Sequence, residues 1–299
     1  MTEEQIKKIT FIIRLACIAF FLGRGWEYLF FDAPFRTLLW SQGLMQGVIE
    51  SLTSMRWEEW VKGGGAGELF INGLTRALGV FFIMAAIVSC FIKSHQKKLG
   101  IVLLFGSLAM VMISFLLFMG KGFAVGMFIE HAIQMGIGVA FYLTLFYPQN
   151  FDKYLFYFKL LISFTFIGHG LFAIGYYPIP GGFIDMIINT FGFTEDNAVL
   201  MLRFAGILDF SAAIFIFVPG LELYALGFNI FWGLTTAFAR SVAHIDINLL
   251  ELTSHQWIFE TIYRLPHGLL PLALFFYVRS RSLDPQDGYK SKSTQHQEA

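Results

Sequence analysis

Six side chains that could move a proton or hold an ion stand in the apolar second half of the sequence: His169, Arg203, Asp209, Glu260, Arg264 and His267. His169 is the one ionisable group of FTFIGHGLFAIG (164–175), set between two glycines. Glu260, Arg264 and His267 are spaced i, i+4 and i+7, which places them along one helix face. A carboxylate, a guanidinium and an imidazole so arranged can grip a polar headgroup or pass a proton. Burial opposes each charged form, and a neighbouring opposite charge favours it. A second set, Arg24, Arg76, Glu130 and His131, occupies comparable positions in the first half.

Each residue also has a plainer reading. His131 fits a hydrogen-bonded core histidine, and Arg24 and Arg76 fit cations reaching outward along their stems. The glycines beside His169 would serve close helix packing. Arg240 reads as an interfacial anchor, with His244 and His255 in the loop beyond it. Asp209 resists such a reading, because a mid-membrane carboxylate must be paired, protonated or wet. Taken together, the six favour a ligand-binding site over a purely structural network.

The elements that must position them are membrane helices. The 299 residues are 56% hydrophobic and only 14% charged, far below the charge of a soluble chain. A net charge of zero gives no support for a nucleic-acid partner. Segments of the roughly 20 apolar residues that a span requires lie near 9–31, 72–92, 99–119, 123–147, 154–176, 198–219, 222–240 and 257–278. The first is too long for a signal-peptide core and reads as an uncleaved span. With eight spans, Lys7, Lys8, Lys93, Lys97, Lys98, Lys153, Arg279 and Arg281 share one side, while 177–197 opposite carries only acidic charges. The positive-inside bias then makes both termini cytoplasmic.

The sequence also repeats itself. FIIRLACIAFFLGRG (11–25) matches FKLLISFTFIGHG (158–170), with Arg14 over Lys159, Gly23 over Gly168 and Arg24 over His169. RALGVFFIMAAI (76–87) matches RFAGILDFSAAI (203–214). FIEHAIQMGIG (128–138) aligns more loosely with IFETIYRLPHG (258–268). Four spans per half make a parallel tandem repeat. The expected architecture is therefore all-α: two tandem four-helix membrane bundles, 1–150 and 151–281, with a disordered cytoplasmic tail over 282–299.

Between the first and second helix of each half lies an excursion on the outer side. Leu44, Met45, Val48, Ile49, Leu52 and Met55 recur at helical spacing beside Trp40, Trp57 and Trp60. This predicts an interfacial lid helix near 40–61. YYPIPGGFIDMIINTFGF is its shorter counterpart in the second half. Counted from the outer ends at about 1.5 Å per residue, His169 and Arg264 lie roughly 10 Å deep and Asp209 and His267 roughly 15 Å, with Arg203 and Glu260 nearer the surface. Pro266 removes a helix hydrogen bond and should bend the eighth span.

Neither GxGxxG, P-loop nor HExxH occurs, and Cys17 and Cys90 form no metal pattern; no metal is expected. His169 and His267 could ligate haem across helices, but no second signal supports it.

RFAGILDFSAAIFIFVPG resembles the second-helix signature of the DoxX-like membrane family, and FTFIGHGLFAIG resembles that family's first-helix motif. The resemblance implies a fused pair of four-helix units in a bacterial inner (plasma) membrane. It puts the motif histidine at His169 and the acidic position at Asp209, with Asp in place of Glu. The motif lysine is Ala173 here, and the first half has Arg24 and Phe82 at the histidine and acidic positions. The family includes subunits of quinone-linked oxidation, accessory proteins of cofactor maturation, and cargo receptors or chaperones. The expectation is a protein that binds a quinone or lipid as an accessory or complex subunit. The alternatives are a quinone-linked oxidoreductase subunit with a soluble or membrane-bound redox partner, and a small-molecule transporter.

Overall fold

Helices account for all the regular structure of residues 2–282, which the computed structural model describes. The expected tail beyond Ser282 lies outside the described residues. In chain order the helices are α1 (Glu3–Phe30), α2 (Phe35–Leu39), α3 (Gln42–Thr53), α4 (Trp57–Trp60), α5 (Ala66–Phe91), α6 (Ile101–Gly120), α7 (Val125–Ile129) and α8 (Ala132–Phe146). They continue with α9 (Phe151–Ala173), α10 (Gly181–Phe191), α11 (Glu195–Phe215), α12 (Glu222–His244), α13 (Leu250–Arg264) and α14 (Pro266–Ser282). Among the described residues, five helical stretches are long and apolar enough to cross a membrane: 66–91, 101–120, 125–146, 148–173 and 195–215. Helices also cover the other three expected segments. There α1 opens on Glu3, Glu4, Lys7 and Lys8, and the last segment is cut in two before Pro266.

That cut is the bend expected of a proline without an N–H. A second break, between α7 and α8 at Glu130–His131, has no proline. There the His131 imidazole Nδ1 lies 2.8 Å from the Met127 carbonyl in the turn before it, and so engages one acceptor beside the broken ladder.

Lipid gives helices no hydrophobic reason to associate, so close packing decides which ones meet. α1 packs on α5 and α9 on α11, while α6 packs on α8 and α12 on α14. The two halves interlock: α1 lies against α13 and α14, and α9 lies against α7 and α8. One continuous core, running from Ile9 through Phe141 and Phe158 to Tyr277, joins both halves.

Small-residue contacts repeat the sequence match in space. A Cβ at Gly25 would meet Ile83, and one at Gly170 would meet Phe210; likewise Gly79 abuts Leu29 and Gly206 abuts Ile174. Each pair follows the same sequence register. The same register sets Arg14, which donates to the Cys90 carbonyl at 3.0 Å, over Lys159, whose ammonium faces the Phe217 ring.

The excursion near 40–61 forms α2, α3 and α4. Ile49, Trp57 and Trp60 pack together, and the Trp60 indole donates to the Leu39 carbonyl at 2.9 Å. Leu44, Val48 and Leu52 turn outward, as suits a helix lying along an interface. In the second half α10 takes the corresponding place, packed on α11 and α12.

Candidate functional site

Under α10 lies a cavity of about 210 Å³, walled by α9, α11, α12 and the α13–α14 junction. Its apolar side comprises Phe183, Met186 and Ile187 of the lid with Met201 and Leu202 of α11. Its polar side is His169, Asp209, Arg240, Arg264 and His267. Four of the six residues singled out in the second half thus meet at one cavity.

Local structure explains each placement. Gly168 lets α9 press so closely on the other half that a Cβ there would overlap the backbone of Glu130. His169 consequently stands with Nδ1 3.5 Å from the Glu130 carboxylate, and its ring centre lies 5.5 Å from that of His267. Gly170 admits the Asp209 Cβ and the Gly206 backbone on its other side. The break before Pro266 turns His267 into the cavity wall beside Arg264. Glu260 sits behind the wall: its carboxylate is 2.9 Å from Arg264 and 3.7 Å from Arg240, holding both guanidiniums at the rim. The Phe183 ring of the lid lies over Arg240, 5.3 Å from its guanidinium carbon.

The first-half set separates. Arg24 is buried and belongs to the same polar layer. It donates through Nε and Nη2 to the Gln134 oxygen at 3.0 and 2.6 Å and through Nη1 to Glu27 at 2.7 Å, and it lies over the Tyr263 ring. Glu130 crosses to His169, with His131 3.8 Å from its other oxygen. Three guanidiniums (Arg24, Arg240, Arg264) and three carboxylates (Glu27, Glu130, Glu260) therefore form one layer across both halves, where the sequence suggested a separate cluster in each. Arg76 and Arg203, equivalent in the repeat, are both exposed on their helices. Neither is drawn into this layer, and Arg203 does not border the cavity.

The apolar segment ends at Arg240, which predicts an interfacial anchor there. In the structure α12 runs on to His244, which brings Arg240 inward to the rim. Glu27, Gln134 and Tyr263 were also missed; only their neighbours at helical spacing could have pointed to them.

Two atoms of the cavity wall stand apart. The Nε2 of His267 and Oδ1 of Asp209 are buried without a hydrogen-bond partner among the described residues, while their side chains border the cavity. A buried polar atom left without a partner is unfavourable by about 1–3 kcal/mol, so such atoms mark places where a ligand or water completes the bonding.

The first half has the same framework with its space filled. Phe82 stands where Asp209 does, fully buried against Phe20, Phe21 and Tyr28. Tyr28 stands where the second half has Ala173. Aromatic rings thus occupy the position of the second-half cavity. No group of three His, Cys, Asp or Glu side chains suited to a metal occurs among the described residues. Cys17 is buried and Cys90 exposed, and both are free. No protein-family model, curated protein or solved structure matches the chain.

Proposed function

We propose that this is an integral membrane binding protein whose second-half cavity takes a small amphiphile, a quinone or a lipid, and which works as an accessory or complex subunit. The observation that carries this reading is the pair of unpartnered buried atoms, His267 Nε2 and Asp209 Oδ1, on the wall of one cavity. A cavity with an apolar lid and a few converging polar groups is the usual form of a small-molecule site. The headgroup meets His169, Asp209, Arg264 and His267, and the apolar part lies along Phe183, Ile187 and Leu202. The resemblance to the DoxX-like family accords with this reading, since its motif positions, His169 and Asp209, both border the cavity.

All eight long helical segments cross the bacterial inner membrane on this proposal, with both ends cytoplasmic and α3 and α10 on the outer face. A reporter fused after Ser282 should read as cytoplasmic and one inserted at Gly64 as external; the opposite pair of signals overturns the topology. For binding, organic extracts of the purified protein are compared with those of Asp209→Asn, His267→Gln and Arg203→Gln. The proposal expects an amphiphile retained by the parent and by Arg203→Gln, and lost from the other two. Equal content in all four extracts refutes it.

A further inference from the structure

The cavity under α10 reaches the outer surface of the helices that wall it. Leu202, Ala205 and Asp209 form its α11 wall, and Trp232, Thr235 and Arg240 its α12 wall. Most of this lining is buried or half-buried, but Thr235 is exposed, as are Thr190 and Phe191 at the end of α10. Thr235 shares a helix face with Phe231, Phe238 and Val242, at i−4, i+3 and i+7, and all three are exposed. α11 likewise turns Phe204 and Ile207 outward. On the proposed topology these faces meet lipid. Thr235 stands nine residues before the outer end of α12 at His244, which is about 14 Å down the helix. That depth is inside a hydrocarbon layer about 30 Å thick.

A cavity whose wall includes a lipid-facing side chain is open sideways. We propose that the slot between α11 and α12, beneath α10, is a portal to the bilayer, through which a long-chain amphiphile enters head first and leaves its chain in the lipid. This rests on the reading of the cavity as an amphiphile site, and adds the route and the ligand class: a polar head on a long apolar chain, resident in the membrane. The unpartnered atoms of His267 and Asp209 are buried, so they draw the head inward, while the exposed rim at Thr235, Thr190 and Phe191 meets the chain. Carbons beyond the slot stay in hydrocarbon whether the ligand is bound or free, so a longer chain is not excluded by the size of the cavity. In the first half Tyr28 and Phe82 fill the corresponding space, which assigns the portal to the second half.

The test has two arms, both on the full chain in phospholipid vesicles. In the first, a nitroxide is attached to Thr235→Cys, Phe231→Cys or Lys62→Cys, each combined with Cys90→Ser because Cys90 is exposed. Its relaxation is then read with dissolved oxygen and with a water-soluble nickel chelate. The label at 235 should respond to oxygen and not to nickel, as at 231, whereas the label at 62 should respond to nickel. Nickel relaxation at 235 equal to that at 62 shows a mouth open to water and overturns the portal, whatever the cavity holds. In the second arm, palmitic acid and a decyl quinone, each carrying a photoreactive group near its head, are irradiated with the parent, Thr235→Trp, Thr235→Val and Phe231→Trp. Label on 201–209 should be lost from Thr235→Trp, whose ring blocks the slot, and kept by the other three. Labelling of Thr235→Trp equal to that of the parent overturns the portal as the route. A parent labelled by neither probe overturns the reading of the cavity instead, and the nitroxide arm still decides which way the cavity opens.

Discussion

Arg24→Gln should be among the most damaging single substitutions in the first half. The guanidinium satisfies the Gln134 oxygen twice, at 3.0 and 2.6 Å, and the Glu27 carboxylate at 2.7 Å, and it stacks on Tyr263. Its side chain is 5% exposed and that of Glu27 20%, so water cannot replace the lost donors. Removing one member of a buried pair is destabilising by about 3–5 kcal/mol, mostly because the other charge is stranded. Arg76, exposed on the neighbouring helix, should change stability by no more than about 0.5 kcal/mol when replaced by Gln. Adding Glu27→Gln to Arg24→Gln removes the stranded charge and should recover about 2 kcal/mol as coupling. Helicity followed through a denaturing-detergent titration of five proteins, the parent, Arg24→Gln, Glu27→Gln, their double variant and Arg76→Gln, reads all three quantities. The reasoning fails if Arg24→Gln and Arg76→Gln lie within about 0.5 kcal/mol of each other, or if the double variant is no better than Arg24→Gln.

Phe82→Ala should empty the space filled beside Phe20, Phe21 and Tyr28 and lower stability by about 3–5 kcal/mol, measured by the same titration. Gly168→Ala should lose about 1–3 kcal/mol through overpacking on Glu130. Gly43→Ala, whose Cβ meets nothing within 4 Å, should be neutral or gain up to about 1 kcal/mol. Glu260→Gln should weaken retention of the bound amphiphile with little change in helicity, because Arg240 and Arg264 lose the carboxylate that sets their positions.

Hydropathy alone located the helical segments, since every apolar run near 20 residues is helical, six of the eight in one unbroken helix, and Pro266 marked the cut in the last. The glycines around His169 foretold close approach, although the surface approached proved to be Glu130 of the other half. What stayed hidden was mostly angular. Spacing along the sequence grouped Arg203 with Asp209 in one site, Arg203 lying nearer the surface. Six residues along a helix, however, turn a side chain by about 120° from its starting face, and Arg203 points outward. The interlock of the halves was hidden too, because a periodic pattern gives each helix a buried face without naming the helix that covers it. The break at Glu130–His131 had no proline to announce it. Arg240 was misplaced because the apolar run ended before the helix did.

The central claim, that an amphiphile occupies the cavity under α10, is tested most directly by photo-crosslinking. A quinone or a fatty acid carrying a photoreactive group near its head is irradiated with the protein in membranes, and the labelled peptides are sequenced. The account predicts label concentrated on 183–191, 201–209 and 232–240, reduced by unlabelled competitor and by the Asp209→Asn, His267→Gln double variant. Label spread over outward-facing residues of α5 and α6, and unchanged in that variant, would contradict it.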